Sequence, residues 1–226
     1  MKGLFQWCLC ATAAGAILLG GFGVGVAADE QTPAKAGEKV GVEGTFVRVA
    51  TNDEGWVVVG YRTANESVGN DLMLLEIGIT VMKGAKDQKI TRDAIKLVTP
   101  NHEVISLPTQ KDFAKVRSQL TPLLQRDAMM SDSINYWPAG VNKPCHLAFF
   151  ALPGVTMVRD EIELTSDRAC TGRIYFEVPG GIQLGNYNLD VKFEDSIVRV
   201  PMDIMTKDQA KEFEKKWKEE KKKAKH

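Results

Sequence analysis

Few residues in this chain have the types and spacing that catalysis needs. Nucleophilic hydrolases place a Ser, Cys or Thr beside a base and an orienting acid, and the sequence has no GxSxG, SxxK or HExxH pattern. His102 lies in a Pro-Asn-His-Glu turn, where we expect solvent exposure, and His146 begins a predicted strand, where we expect packing. A three-histidine zinc site would need the terminal residue, His226. The sequence therefore indicates no catalytic residue and no metal site.

Paired carboxylates occur at Asp53-Glu54, Asp160-Glu161 and Glu194-Asp195. Two carboxylates can hydrolyse glycosides, and spaced oxygen ligands can bind calcium. All three pairs lie at predicted turns, and residues adjacent on a strand point to opposite faces. The segment Asn52–Gly55 is only a fragment of a calcium loop, and Gly180-Gly181 leads into no helix that could hold a phosphate. We therefore expect no cofactor.

The cysteines point to a structural disulfide. Cys8 and Cys10 fall in the N-terminal targeting segment described below, which leaves Cys145 and Cys170. Two cysteines of an exported protein are expected to be bridged, because that compartment is oxidising. A metal site or a reactive thiol is the alternative, but neither a CxxC nor a CxxCH pattern is present. We predict a Cys145–Cys170 bond.

Two groups of residues could bind a partner. Tyr136 and Trp137 offer aromatic rings in a predicted loop, 131–143, although they could equally fold back over the core. A lysine-rich C-terminal segment could contact anionic lipid headgroups, a cell-wall polymer or an acidic protein. Its candidate residues are Lys215, Lys216, Lys218, Lys221, Lys222 and Lys223. The alternative is a solvated helix end whose glutamates dilute the positive charge.

Charge is distributed unevenly along the chain. The 226 residues have a formal net charge of zero, 44% of them are hydrophobic and 26% are charged. This composition is that of a globular protein and excludes a mainly disordered chain. The last 21 residues hold nine lysines and five acidic residues, so the preceding body is acidic. With no overall basic charge and few aromatics among the lysines, we expect no nucleic-acid partner.

The N-terminus has the pattern of a signal peptide. Lys2 is followed by an uncharged apolar stretch, and Val26-Ala27-Ala28 provides small residues for cleavage after Ala28, or after Ala27. An uncleaved anchor helix is the alternative. Cleavage would remove residues 1–28, leave no transmembrane span and place the protein in the periplasm or outside the cell. Residues 29–42 are predicted to be a flexible leader.

The elements that would position these residues are mostly strands. About ten short stretches between 43 and 205 alternate in hydropathy, and the clearest is 72–82. A helical insertion at about 109–130 follows a Thr109 N-cap, as two short helices or one helix kinked at Pro122. A Lys/Glu-rich helix is predicted within 206–226, docked through Phe213 and Trp217. The pattern predicts a mainly β fold, an antiparallel Ig-like β-sandwich with these two helical additions.

One segment supports that interpretation by resemblance. Residues 55–81, GWVVVGYRTANESVGNDLMLLEIGITV, run from an apolar strand through a polar Asn-Glu-Ser turn into a long alternating strand. This order resembles exported bacterial Ig-like β-sandwich domains of unknown function, over about a third of the mature chain. The resemblance implies a sandwich and an envelope location, and it carries no functional residue.

These observations favour an exported, non-catalytic envelope protein that acts as a binding or interaction module. One alternative is a small-ligand carrier, with an apolar cavity beneath Phe113, Val116 and Leu120 of the helical insertion. Another is an envelope enzyme with an unfamiliar site in the 131–145 loop, which a strongly perturbed acid or histidine would support. The oligomeric state and the identity of the partner stay open.

Overall fold

The computed structural model describes residues 38–150 and 157–223. The predicted signal peptide, most of the predicted leader and His226 lie outside these ranges. The helices are α1 (Arg62–Asn65), α2 (Gln110–Met130) and α3 (Lys207–Lys223). The strands are β1 (Lys39–Gly44), β2 (Val47–Thr51), β3 (Gly55–Gly60), β4 (Leu72–Val81), β5 (Gln88–Thr91), β6 (Ile95–Val98), β7 (Val104–Ser106), β8 (Lys143–His146), β9 (Glu161–Leu164), β10 (Arg168–Glu177), β11 (Gly185–Lys192) and β12 (Ile197–Ile204).

The strands form three sheets, so the prediction of a mainly β fold is confirmed. A six-stranded sheet has the order β1-β2-β3-β4-β10-β8, and a four-stranded sheet has the order β12-β11-β6-β7. Strands β5 and β9 form a separate antiparallel pair. Pairing is antiparallel throughout these sheets except between β8 and β10, which run parallel. That one parallel pair departs from the purely antiparallel arrangement that the sequence predicts.

Side chains of the two larger sheets meet in one hydrophobic core. Ile77 of β4, Leu189 of β11 and Val200 of β12 are fully buried members of this core. Alternation along β12 is regular, with Val198, Val200, Met202 and Ile204 buried and the residues between them half-buried. This is the pattern expected when one face of a strand packs inward. The core therefore accounts for the alternation seen in the sequence.

The predicted disulfide is present. Cys145 and Cys170 are bonded, and their Cα atoms lie 4.1 Å apart. They are direct register partners in the parallel pair of β8 and β10. The bond therefore fastens the edge strand β8 to the body of the six-stranded sheet.

Both faces of β4 are covered, which the sequence did not predict. Alternation had indicated one core face, but nine of its ten residues are buried and only Glu76 is partly exposed. On the second face, Leu72 and Leu74 pack against Phe113 and Leu120 of α2. Helix α2 therefore acts as a further layer on the outer side of the six-stranded sheet.

Helix α2 is one element rather than two. Thr109 is its N-cap and forms a capping box with Asp112, as the prediction of a helix start there requires. The helix continues through Pro122, which is exposed to solvent. A proline at this position leaves one carbonyl of the preceding turn without its helical donor. Because that side of the helix faces water, solvent can satisfy the carbonyl and the helix is not interrupted.

Several predicted boundaries are wrong. Residues 39–42 of the predicted leader belong to β1, where Val40 pairs with Ala50 of β2. His146 was predicted to begin a strand, but it is the last residue of β8, and residues 147–150 after it are not in a strand. Strand β5 and helix α1, which are four residues long each, were not predicted. Short elements are specified by their tertiary neighbours more than by their own pattern.

Among the helices in residues 38–150 and 157–223, none combines the length and apolar character needed to cross a membrane.

Candidate functional site

Helix α3 is docked against the six-stranded sheet by one side. Ala210, Phe213 and Trp217 are its half-buried residues at helical spacing. The Trp217 indole N–H donates to the carbonyl of Val42 on β1 over 3.2 Å. The Lys221 ammonium lies 4.6 Å from the centre of the Trp217 ring and 3.1 Å from the carboxylate of Glu43. Of the candidate lysines, Lys221 is therefore part of the docking contact.

A buried arginine lies beneath α3. Arg48 of β2 is only 3% exposed, and its guanidinium donates to the carbonyls of Gly44, Thr45 and Val47. It also lies 5.0 Å from the ring centre of Phe213 and 5.3 Å from that of Tyr61. Such cation–π contacts stabilise a desolvated guanidinium. Because Phe213 lies over Arg48, the position of α3 is tied to this buried guanidinium.

The other side of α3 carries lysines. Lys211, Lys215, Lys218 and Lys222 are spaced four, three and four residues apart and are all exposed. This spacing puts them on one side of the helix, here called the lysine face. Lys218 also contacts Glu214 at 2.5 Å and Lys211 contacts Asp208 at 3.7 Å. Neither Lys215 nor Lys222 has an ion-pair partner among the residues that the structure describes.

The remaining candidate lysines lie apart from the lysine face. Lys216 pairs with Glu212 at 2.7 Å on a different side of the helix. Lys223 is exposed at the end of α3. Lys211, which was not a candidate, joins the lysine face because the observed helix brings it into register with Lys215. The structure thus gathers three of the six predicted lysines and adds one.

Tyr136 and Trp137 are half-buried on the outer face of the six-stranded sheet. The Tyr136 hydroxyl donates to the Glu43 carbonyl over 3.3 Å, and its own carbonyl accepts from the Trp56 indole at 2.8 Å. Trp137 packs onto Gly78 of β4 so closely that a methyl group at Gly78 would lie 2.2 Å from its ring. Both side chains are therefore committed to covering the sheet, and their role in partner binding stays a prediction.

A pair of carboxylates lies where α2 ends on the sheet. Asp127 of α2 is 3% exposed and Glu76 of β4 is 15% exposed. The Thr63 hydroxyl donates to Asp127 over 2.8 Å, and the Arg173 guanidinium donates to the other Asp127 oxygen. The same guanidinium lies 3.5 Å from the Glu76 carboxylate. The Arg173 guanidinium thus contacts the carboxylates of both Asp127 and Glu76.

This environment changes the protonation of Glu76. Burial is the main cause that raises the pKa of Glu76 to about 7, and the negative charge of Asp127 raises it further. Arg173 and a hydrogen bond with Ser131 act in the opposite direction and are weaker. A carboxyl group with a pKa near neutrality can hold or release a proton under physiological conditions.

Glu76 and Asp127 were not among the predicted site residues, although the sequence contains signals for the pair. Glu76 is the only charged residue within the apolar alternation of β4. Asp127 lies seven residues after Leu120, on the helix side that also carries Phe113. An acid on each of two apolar faces that pack together indicates a buried pair. What the sequence could not supply was the packing of α2 over this strand.

The paired carboxylates that the sequence did bring forward have structural contacts. Glu54 accepts hydrogen bonds from the Asp195 backbone N–H at 3.2 Å and from the Ser196 hydroxyl. Asp160 pairs with Arg92 at 3.3 Å. An open pocket of about 430 Å³ lies beside Glu54. It is lined by Asp53, Glu54, Lys83, Gly84, Ala85, Lys86, Gln88, Glu194 and Asp195. Over residues 38–150 and 157–223, no group of three or more His, Cys, Asp or Glu side chains could hold a metal ion.

The two described histidines are both exposed. This agrees with the expectation for His102 and contradicts the expectation that His146 is packed. The reason is that His146 is the last residue of β8, which is the edge strand of the sheet and is paired on one side only, with β10.

The space beneath α2 contains packed side chains. The Phe113 ring lies 5.5 Å from that of Phe150 and 6.0 Å from that of Tyr175. Leu120 and Leu123 complete this cluster against β4. The residues proposed to line a carrier cavity therefore contact one another and the sheet.

Comparisons with protein-family models, with curated proteins and with solved structures found no match to this chain. The resemblance to exported Ig-like domains accordingly stays a prediction.

Proposed function

We propose that this protein is an exported, non-catalytic interaction module that binds an anionic lipid surface of the envelope through the lysine face of α3. The observation that carries this proposal is the division of α3 into two sides. Phe213 and Trp217 hold one side on the sheet, and Lys211, Lys215, Lys218 and Lys222 project from the other. A docked helix presents its charges at fixed positions, which lowers the entropic cost of binding.

The chemistry of this face suits headgroups rather than a bilayer interior. Its four lysines are compact cations that can each attract an anionic headgroup, at about 1 kcal/mol per residue near a charged membrane. The aromatic residues of α3 face the sheet, so they do not lie beside these lysines. Binding through this face would be electrostatic and would weaken as salt is added.

Export and an Ig-like arrangement are parts of the same proposal. The Cys145–Cys170 bond is typical of an oxidising compartment, such as the periplasm or the cell exterior. Two sheets that share one hydrophobic core favour a β-sandwich. We infer a sandwich of the Ig-like kind with α2 and α3 as additions to it.

Capture from native envelope extract tests the proposal. Full-length wild-type protein is compared with Lys215→Gln/Lys222→Gln, which removes two exposed charges from the lysine face. The matched control, Lys83→Gln/Lys86→Gln, removes the same charge from the exposed turn between β4 and β5. We expect anionic lipid to be retained by wild type and control and lost by the lysine-face variant. Equal retention by all three would contradict the proposal, and retention of an acidic protein instead would overturn the lipid assignment.

The enzyme alternative has one observation in its favour. The carboxyl group of Glu76, with its raised pKa, lies beside Ser131 at the start of the 131–145 segment. A carboxyl group of this kind could transfer a proton during catalysis. If the purified protein turns over a substrate, Glu76→Gln should abolish that activity. Full activity of this variant would exclude Glu76 from catalysis.

A further inference from the structure

We propose that Glu76 and Asp127 share a proton that holds the C-terminal end of α2 on the six-stranded sheet, and that loss of this proton weakens the contact. The contact formed by the side chains of Glu76, Asp127, Arg173 and Thr63 is here called the latch. The proposal concerns a regulated contact within the fold. It does not depend on the lysine face or on what that face binds.

The latch joins three elements through side chains. Asp127 belongs to the last turn of α2, Glu76 to β4 and Arg173 to β10. The Thr63 hydroxyl adds α1 to the same cluster through its 2.8 Å bond to Asp127. A change in the charge of the two acids therefore changes the contacts that hold the last turn of α2.

When Glu76 and Asp127 are both ionised, their two negative charges exceed the one positive charge that faces them. From β10, Arg173 supplies one positive charge, and it is 41% exposed. From α1, Arg62 is already paired with Asp132 at 2.8 Å. Ser131, which directly follows α2, and Gly60 of β3 are neutral neighbours of Glu76. Two ionised carboxylates therefore face one shared guanidinium, and one bound proton neutralises the cluster.

The pH range follows from the direction of the shift. The ordinary pKa of a glutamate is 4.5, and burial with the Asp127 charge raises that of Glu76 to about 7 in the folded protein. The folded state thus binds a proton that the unfolded state does not bind between these values. The stabilisation is present in full below the unfolded value and is lost as pH rises through the folded value. Above about pH 7 the carboxylates repel each other, and we expect the end of α2 to open.

Amide hydrogen exchange of the full chain tests the latch. Protection factors, corrected for the intrinsic pH dependence of exchange, are measured for residues 124–134 at about pH 6 and about pH 8. For wild type we expect protection in this segment to fall by up to about tenfold per pH unit as pH rises towards the folded pKa of Glu76, about 7, and to level off above that value. Protection of the core strands β11 and β12, which open only when the whole protein unfolds, should stay above that of residues 124–134 at both pH values.

Isosteric variants make the test specific. Glu76→Gln removes one charge and keeps the shape, so protection of residues 124–134 should become independent of pH. Asp127→Asn should have the same effect and serves if the first variant does not fold. Glu177→Gln is the control, because Glu177 is exposed on the same sheet, and it should respond as wild type does. Wild-type protection that does not change between the two pH values would overturn the proposal, as would a Glu76→Gln variant that responds like wild type.

Discussion

At the scale of single residues, two contacts decide how the outer face of the six-stranded sheet is covered. Gly78 leaves the space that the Trp137 ring occupies, and Glu76 meets Asp127 across the join between β4 and α2. Both residues lie on the same face of one strand, two positions apart. The packing of Trp137 on this face therefore depends on Gly78, which has no side chain, and the packing of the end of α2 depends on Glu76, whose side chain is ionisable.

Gly78→Ala should destabilise the protein because it places a methyl group 2.2 Å from the Trp137 ring. Overpacking of this kind costs about 1–3 kcal/mol in the free energy of unfolding. Chemical denaturation would measure the loss. Gly41→Ala is the matched control, since the nearest atom to its added methyl group is 3.9 Å away. Equal stability of the two variants would show that Trp137 is not packed against β4.

The sequence identifies residue roles only where the residue type restricts the choice. Cys145 and Cys170 were predicted as partners because few cysteines were available to pair. Glu76 was overlooked because an acid at an alternating position is usually solvated. Only the packing of α2 over β4 buries it, and that packing depends on contacts between residues far apart in the chain.

At the scale of elements, α3 combines a docked side with a charged side. Phe213 and Trp217 were predicted to dock the helix, and the helix is found at the predicted residues, Lys207–Lys223. Their apolar spacing was enough to identify this side. The buried Arg48 beneath them could not be anticipated, because an arginine within a strand is normally exposed.

Trp217→Ala should release the second half of α3. The change removes the hydrogen bond to Val42 and the ring contact with Lys221. Loss of a half-buried aromatic contact costs about 1–3 kcal/mol, so cleavage by trypsin within α3 should become about tenfold faster or more. Glu220→Ala, which changes an exposed α3 residue and removes no trypsin site, should leave the cleavage rate unchanged. A Trp217→Ala variant that resists trypsin as wild type does would contradict the docking geometry.

Elements were predictable where their hydropathy alternates clearly. Strand β4, Leu72–Val81, lies within one residue of its predicted position, 72–82, because it has such a pattern. The strand predicted to begin at His146 is placed too late in the chain. The apolar residues after His146 resemble a strand, but β8 and its pairing with β10 end at His146. Strand β1 was assigned to the leader, since its Lys, Glu and Gly residues give little strand signal.

At the scale of the whole molecule, two sheets share a core, and the order of their strands was not predictable. The alternation within each strand indicates an inward face, but it does not say which strand lies beside which. The parallel pairing of β8 with β10 joins segments separated by a long excursion of the chain. The disulfide at this pairing is the one long-range contact that the sequence itself indicated.

Replacing both cysteines should lower the stability of the whole fold. On the chain-entropy model, a loop of this size gives roughly 3 kcal/mol of stabilisation. Guanidinium denaturation of Cys145→Ser/Cys170→Ser should show a loss of that order, and a reductant should lower the stability of wild type but not of the variant. A reductant with no effect on wild type would mean that the bond does not constrain the fold.

The central claim is that the lysine face of α3 binds an anionic surface, and vesicle binding tests it most directly. Wild type in its mature form, residues 29–226, and the variant Lys211→Gln/Lys215→Gln/Lys218→Gln/Lys222→Gln of the same length are titrated with vesicles of equal parts phosphatidylglycerol and phosphatidylcholine, at low and at high ionic strength. We predict that wild type binds at low ionic strength, is released by salt and ignores pure phosphatidylcholine, and that the variant does not bind. Wild type that fails to bind these vesicles, or a variant that binds as tightly as wild type, would contradict the account.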